Sequence, residues 1–161
     1  MFNIVLFQPE IPPNTGNIIR LCANTGCRLH LIEPLGFDLN DKKLRRAGLD
    51  YHEWADVRIY SDLTAAGCKG ANVYAISTRG TRLYTDAHFE PGDTLVFGPE
   101  TRGLPDSYLD SVERDRILRI PMLKHSRSLN LSNAVAVMVY EGLRQNNFTD
   151  AAATRPESYF V

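Results

Sequence analysis

The chain has 161 residues, a length that suits a single domain with a substantial core. Its 18 Lys and Arg residues and 19 Asp and Glu residues give a formal net charge of −1, which argues against a globally basic nucleic-acid binder. No apolar run approaches the length of a membrane span, and the N-terminal FNIVLF is too short for a signal peptide. We therefore expect a soluble, cytoplasmic protein with no membrane partner, in which residues 1–161 form one domain.

Short β-rich runs alternate with helical stretches along the chain. Strands are predicted over residues 3–7, 29–32, 57–60, 73–76, 94–97 and 117–120. Helices are predicted over residues 14–24, 41–47, 62–66 and 132–144. Continuous apolar strands alternating with helices indicate an α/β fold, with a mostly parallel sheet and helices on both of its faces. The polar residues 145–161 are typical of a loosely held tail.

The cysteines and histidines give no disulfide or metal pattern. Cys22, Cys27 and Cys68 cannot all pair with one another, and their spacing offers no zinc signature. Cys22 falls on the apolar side of the first predicted helix, which favours a reduced core cysteine. Since the histidines also lack ligand spacing, we expect no metal.

The first of three segments that suggest a binding site is PPNTGNIIRLCANTG, at residues 12–26. Its prolines and first asparagine predict a helix start, and Gly26 predicts the end. On this helix Asn17, Arg20 and Asn24 share one face, opposite the apolar side. Arg20 should therefore point away from the core.

The second segment, TLVFGPETRGLP at residues 94–105, is a short apolar strand that breaks into a loop. Pro99 and Pro105 stiffen this loop, whereas Gly98 and Gly103 make its backbone permissive. A loop of this composition lets ligand atoms approach the backbone closely.

The third segment, IPMLKHSRSLNLSNAVAVMVYE at residues 120–141, is a polar loop that runs into an apolar helix. Its short polar side chains favour turns and helix N-caps. These side chains are Ser126, Ser128, Asn130, Ser132 and Asn133. Residues 134–140 are almost all apolar or small, which predicts a helix buried on most of its circumference. A polar loop held against a buried helix start can present amides and hydroxyls to a ligand.

Together, and in this order, the three segments resemble the motifs of the SPOUT superfamily of knotted RNA methyltransferases. NTGNIIR resembles the first motif, LVFGPETRGLP the second, and IPM followed by SRSLNLSNAVAVMVYE the third. With RRAGLDYHEW at residues 45–54, the closest resemblance within the superfamily is to enzymes that methylate the ribose 2′-oxygen of the tRNA wobble nucleotide. It covers the chain from residue 1 to about residue 144.

The resemblance implies a deep trefoil knot in the C-terminal part of the α/β fold, which hydrophobic periodicity does not indicate. It also implies that the loops after Ile76, Phe97 and Ile120 wrap around the cofactor. These loops lie just beyond the carboxyl ends of predicted parallel strands, where α/β sheets bind ligands. That position is an independent physical reason to expect a site there.

The resemblance further implies that S-adenosylmethionine is the methyl donor. Four residues fall at cofactor positions of the family and four more adjoin them. The former are Ile76, Gly98, Ile120 and Ser128, and the latter are Thr78, Gly103, Met122 and Leu129. Ile76 and Ile120 suit an apolar slot, and Gly98 leaves room for close backbone contact. From the residues alone, ordinary strand-end packing is an equally good interpretation.

Two residues are candidates for the catalytic role. Arg20 matches the first-motif arginine, to which the family usually assigns the central role. Because arginine stays protonated in proteins, Arg20 suits a bidentate clamp on an RNA phosphate better than a free base, and the alternative is a solvated surface arginine. The phenol of Tyr140 could orient the hydroxyl or the nucleotide, although it could also be a core residue. Glu100 and Arg102 could pair with each other to shape their loop. Asn133 could cap the last helix or position the cofactor loop, and the cap is the better interpretation.

Local cationic clusters are the expected RNA contacts, because the chain as a whole is not basic. Arg79, Lys124 and Arg127 adjoin predicted cofactor loops, which favours an RNA role for them. The basic cluster at residues 42–46 is better explained as a solvated helix face. The segment between Met122 and Ser126 departs most from the family pattern, so the resemblance itself implies no RNA role for Lys124 and His125.

We therefore predict methyl transfer from S-adenosylmethionine to the ribose 2′-hydroxyl of the wobble nucleotide, cytidine or modified uridine, in the anticodon stem-loop of tRNA. The alternatives are a related enzyme for another tRNA or rRNA position and a non-catalytic RNA-binding module. A homodimer is also predicted, because so short a chain must build its acceptor site from more than one surface. The resemblance implies that the first-motif helix and the C-terminal helix pack across the two-fold axis.

Overall fold

The computed structural model describes residues 1–38, 57–68, 70 and 72–149. The helix predicted over residues 41–47, its basic cluster and most of the predicted tail lie outside the described residues.

Seven short strands form one sheet in which every paired strand runs parallel to its neighbour. They are β1 (Asn3–Phe7), β2 (Arg28–Ile32), β3 (Val57–Tyr60), β4 (Val73–Ile76), β5 (Arg82–Leu83), β6 (Thr94–Phe97) and β7 (Ile117–Arg119). Their order across the sheet is β3-β2-β1-β6-β4-β7-β5. All six predicted strands are found. Sequence reasoning missed β5, because two residues are too short to carry a pattern.

Three α-helices flank the sheet in the described part of the chain: α1 (Pro12–Thr25), α2 (Asp106–Leu109) and α3 (Leu131–Gln145). The predicted end of α1 is confirmed, since Gly26 follows it in the left-handed conformation at φ 68°. No described helix is long and apolar enough to cross a membrane.

Two hydrophobic cores lie on opposite faces of the sheet, because successive side chains of a strand alternate in direction. Ile4 and Leu6 of β1 belong to the first core, which also contains apolar residues of α1 and α3. Val5 belongs to the second core, which contains Tyr108 and Leu109 of α2. The predicted arrangement, a parallel sheet with helices on both faces, is therefore confirmed.

Two local predictions were wrong. Residues 62–66 form a turn and not a helix, because Gly67 at φ 71° ends the segment after a single turn, before a helix can propagate. The tail is not loose at its start. Gln145 still belongs to α3, and its side chain accepts from the Phe89 amide at 2.9 Å and donates to the Ala87 carbonyl at 3.0 Å.

The prediction that α3 is buried on most of its circumference was also wrong. Val137 is 36% exposed and Tyr140 is 52% exposed. With Asn133 and Arg144 they form an exposed stripe, whereas the opposite side of the helix packs into the first core. An apolar composition shows that a helix has a partner surface, but not how many of its sides the rest of the chain covers.

The cysteines are free and buried, as predicted for Cys22. Burial raises the pKa of the Cys22 thiol well above its usual range, with a smaller contribution from the neighbouring Cys27. Burial likewise raises the pKa of Cys68 to about 11. Because burial disfavours the reactive thiolate at both positions, we expect neither Cys22 nor Cys68 to act as a nucleophile.

Candidate active site

A cavity of about 530 Å³ opens at the carboxyl ends of β4, β6 and β7. This volume is in the range of small-molecule sites. All eight residues predicted to contact or adjoin the methyl donor line the cavity: Ile76, Thr78, Gly98, Gly103, Ile120, Met122, Ser128 and Leu129. The fold therefore brings together residues that are up to 53 positions apart, from Ile76 to Leu129.

The glycine loop after β6, residues 98–105, forms one wall of the cavity. A Cβ atom on Gly98 would lie 2.2 Å from the Gly103 carbonyl carbon and from the Leu104 nitrogen, so no larger residue fits without a backbone shift. Gly103 has φ 70°, which favours glycine, and its amide donates to the Pro99 carbonyl at 3.0 Å. The loop is thus folded tightly on itself and exposes its backbone to the cavity.

Glu100, at the tip of the glycine loop, binds the start of α1. Its carboxylate accepts from the amides of Glu10 at 2.8 Å and Ile11 at 3.3 Å, and from the Asn14 side chain at 2.9 Å. The N-cap residue Ile11 has no side chain that could satisfy these donors, and a carboxylate is favourable beside a helix N-terminus. The predicted pairing of Glu100 with Arg102 was therefore wrong.

Asn14 and Asn130 extend this network to the third segment. The Asn130 side chain donates to Asn14 Oδ1 at 2.8 Å, and its own oxygen accepts from the Ser132 amide at 2.9 Å and the Asn133 amide at 3.4 Å. Asn130 is thus the N-cap of α3, a role that sequence reasoning had assigned to Asn133. Since Glu100, Asn14 and Asn130 each come from a different segment, one hydrogen-bonded chain joins all three.

A second, reciprocal contact joins the glycine loop to the segment before α1. The Glu10 carboxylate accepts from the Thr101 amide at 3.1 Å and from the Thr101 hydroxyl at 2.7 Å, while the Glu10 amide donates to Glu100. Arg102 donates to Gln8 Oε1 at 2.8 Å. Sequence reasoning missed Glu10, because its partner lies 91 positions further along the chain and no local pattern connects them.

The loop after β4 also lines the cavity, through Ser77 and Thr78. The Ser77 amide donates to the Leu118 carbonyl at 2.9 Å, which ties this loop to β7. A Cβ atom on Gly80 would lie 2.7 Å from the Ile117 oxygen, so the loop crosses β7 in close backbone contact.

The model of the SpoU rRNA Methylase family matches residues 1–140 of this sequence. The chain belongs to the SpoU methylase family. The family resemblance of the three segments is thereby confirmed, and the cavity described above is built from those segments.

Individual members of the family are similar over most of this chain. The tRNA (cytidine(34)-2′-O)-methyltransferase of Saccharophagus degradans is 62% identical over 150 residues, which are 92% of this chain and 97% of that protein. A solved structure described as structural insights into the 2-OH methylation of C/U34 on tRNA has a TM-score of 0.83 at 48% identity, and covers 92% of this chain and 97% of its own. An AdoMet-bound rRNA methyltransferase from Sinorhizobium meliloti has a TM-score of 0.73 at 25% identity, and covers 89% of this chain and 56% of its own.

In this SpoU family member the two candidate catalytic residues lie outside the lining of the cavity. Arg20 is exposed on α1, on the face shared with Asn17 and Asn24, as predicted. Tyr140 lies on the exposed stripe of α3 and is therefore not the core residue that was its alternative interpretation. Because α1 packs against α3, these exposed faces belong to neighbouring helices.

The three basic residues predicted to contact RNA differ in whether they form an ion pair within the described part of the chain. Arg79 forms an ion pair with Asp106. Lys124 and Arg127 are exposed in the loop between β7 and α3 and pair with no other described residue. Among the described residues, no three metal-ligating side chains converge.

Proposed function

We propose that this protein transfers the methyl group of S-adenosylmethionine to the ribose 2′-hydroxyl of the tRNA wobble nucleotide, cytidine or modified uridine, in the cytoplasm. One observation carries this proposal. In a chain of the SpoU family, all eight residues predicted to contact or adjoin S-adenosylmethionine line one cavity. The name of the 62% identical relative supports the position, and the AdoMet-bound family structure supports the donor.

The cavity suits the chemical parts of the donor. Its apolar residues, among them Ile76, Ile120 and Leu129, offer a slot for the adenine ring. The glycine loop exposes backbone where a side chain would fill the space, and Ser128 offers a hydroxyl to the ribose. When bound, the donor supplies an electrophilic methyl group, while the chain supplies the orientation. Three hydrogen bonds hold the Glu100 carboxylate against the start of α1, so we assign Glu100 a positioning role.

The acceptor hydroxyl is a poor nucleophile that has to be held in line with the methyl group. Arg20 is proposed to hold it, by clamping an RNA phosphate through its guanidinium fork. Tyr140 is proposed to orient the nucleotide. Because both side chains project from exposed helix faces, this role requires that another surface bring them to a cavity.

A homodimer meets this requirement. We propose that the exposed faces of α1 and α3 pack across a two-fold axis, so that Arg20 and Tyr140 of each subunit approach the cavity of the other. The half-exposed Val137 and Tyr140 are apolar side chains that such an interface would cover.

The C-terminal half is proposed to form the trefoil knot of the family. Three observations support it. The loop after β4 crosses β7 at Gly80, the connection from β5 to β6 packs Phe89 into the first core, and the connection from β6 to β7 packs Leu104 into the second core.

The test is methyl transfer to tRNA from a strain that lacks its own wobble methyltransferase, followed by ribose-methylation mapping at nucleotide resolution. Methylation is expected at nucleotide 34 and to depend on S-adenosylmethionine. Methylation of another tRNA nucleotide, or of rRNA alone, would contradict the proposed position.

The same assay tests Arg20. Arg20→Ala should reduce the transfer rate by about 10²-fold while leaving donor affinity nearly unchanged. Arg20→Lys should rescue poorly, since a point charge cannot replace a bidentate fork. If Arg20→Ala lost donor binding in a calorimetric titration, Arg20 would belong to the donor side of the site.

Light scattering tests the dimer. A protein that is monomeric at micromolar concentration and fully active in methyl transfer would refute it.

A further inference from the structure

The loop between β7 and α3 carries a preformed turn at residues 123–127. The amide of Ser126 donates to the Leu123 carbonyl at 3.1 Å, and the Ser126 hydroxyl donates to the same oxygen at 2.7 Å. His125 adopts φ 75°, which turns the chain sharply between them. The structure thus places Lys124 and His125 at the tip of this turn, where neither side chain forms a hydrogen bond or an ion pair with another described residue.

The composition of the turn differs from that of the protein as a whole. The net charge of the chain is −1, yet no Asp or Glu occurs between Asp115 and Glu141. Lys124, His125 and Arg127 are all exposed within this stretch. Its cations are therefore not neutralised by a neighbour in sequence, in contrast to Arg79, which is paired with Asp106.

Leu123, which immediately precedes Lys124, is 86% exposed, the highest exposure among the large apolar side chains that the structure describes. A single exposed leucine is ordinary on a protein surface. This one, however, lies in the turn whose flanks, Met122 and Ser128, line the cavity. An apolar side chain and uncompensated cations therefore stand together at the rim of the candidate active site.

We propose that the turn at residues 123–127 is an RNA-binding element that holds the strand next to the target nucleotide. Lys124 and Arg127 contact phosphates, and Leu123 packs on an unstacked base of the loop that presents the nucleotide. The proposal rests on the proposed function, since the bound polymer is the RNA whose ribose is methylated. Phosphate contacts fix position, and unstacked loop bases, which expose an apolar ring face, are the usual targets of RNA recognition.

The test is tRNA affinity as a function of salt concentration for wild type, Lys124→Gln, Arg127→Gln and Leu123→Ala. Each phosphate contact contributes roughly 0.7 to 0.9 to the slope of log affinity against log salt. Each cation variant should therefore lower the magnitude of this slope by about that amount. Leu123→Ala should weaken binding several-fold with an unchanged slope, because it removes an apolar contact. Donor affinity should stay unchanged in all three, since these side chains do not line the cavity.

Arg114→Gln is the charge-matched control. Arg114 is an exposed arginine in the short turn before β7, at the opposite end of that strand from the cavity, and its removal should leave the slope unchanged. An unchanged slope in both cation variants, or an equal loss in Arg114→Gln, would overturn the inference. A monomer produced by Leu123→Ala would do so as well, because the leucine would then serve contact between subunits.

Methylation of nucleotide 34 by wild type tests the proposed function independently of the role of the turn. If wild type does not methylate nucleotide 34, the proposed function fails. If it does so while the variants bind tRNA with the wild-type salt slope, only the role of the turn fails.

Discussion

Two loops form walls of the cavity, and they differ in the hydrogen bonds that hold them. The glycine loop, residues 98–105, is bound to a distant part of the chain, because Glu100 accepts from the start of α1 and Thr101 donates to Glu10. The loop between β7 and α3, residues 120–130, is held at its C-terminal end by the bonds of Asn130, and among the described residues its middle forms only the local bonds of Ser126. One wall is therefore preorganised by long-range bonds, whereas the other is left free to contact a partner.

This difference fits the two ligands of the proposed reaction. A small donor gains affinity from a wall that is already in place, because little conformational entropy is lost on binding. A large RNA needs exposed side chains that reach it. If the contrast is correct, substitutions in the first wall should affect donor binding, and those in the middle of the second wall should affect RNA binding.

The largest effect is expected for Gly98→Val. The new side chain would overlap backbone atoms of Gly103 and Leu104, so the first wall must move into or away from the cavity. Donor binding measured by calorimetry should be lost, together with the rise in melting temperature that a ligand produces by mass action. Gly67→Ala is the control: it strains a backbone with φ 71°, but its new Cβ meets no atom within 4 Å, so it should cost about 1 kcal/mol of stability and leave donor affinity intact. Wild-type donor affinity in Gly98→Val would contradict this assignment of the wall.

A smaller effect is expected for Asn130→Ala, which removes the N-cap of α3 and the bond to Asn14 together. Loss of a cap costs about 1 kcal/mol, and leaving the nearly buried Asn14 oxygen unpaired costs about 1 kcal/mol more. Urea denaturation should therefore show a loss of about 2 kcal/mol. Asn130→Ser can keep the cap but cannot reach Asn14, so it should recover about half of the loss. Equal losses in the two variants would mean that the cap contributes nothing.

Glu10→Ala tests the reciprocal contact between Glu10 and Thr101. The expected loss of stability is smaller than for Asn130→Ala, because this carboxylate is partly exposed. Loss of its bonds with Thr101 should cost about 1 kcal/mol and weaken donor binding several-fold, whereas Glu10→Gln keeps an acceptor and should recover part of both. Ser126→Ala is the matched change in the other wall, since it removes a bond that closes only a local turn. If Ser126→Ala weakened donor binding as much as Glu10→Ala, the contrast between the walls would be wrong.

The sequence predicted the residues that line the site, but not the long-range hydrogen bonds that hold these residues in place. Apolar runs and glycines are local signals, so the strands, the end of α1 and the eight lining residues followed from composition and family resemblance. The bonds of Glu100, Asn14 and Asn130 join residues 86 and 116 positions apart, and no local pattern records such distances. Asn133 was preferred as the cap because any short polar residue before an apolar helix fits the pattern, whereas the backbone places only Asn130 at the N-cap.

The smallest effect is expected for His30→Gln. His30 lies on β2, away from both walls, so this variant tests whether donor binding is independent of the rest of the sheet. Burial lowers the pKa of His30 below its usual value, with smaller contributions from Arg58 and Arg28. The unfolded chain therefore binds a proton near pH 6.5 that the folded protein does not yet bind, so stability should fall as the pH drops below about 6.5. His30→Gln does not titrate, and its free energy of unfolding should fall less steeply than that of wild type between about pH 6.5 and pH 5. Donor affinity should be the same in the two proteins across this range, because His30 does not line the cavity. Parallel stability curves would show that His30 does not cause the loss, and a different donor affinity would show that the walls depend on the far side of the sheet.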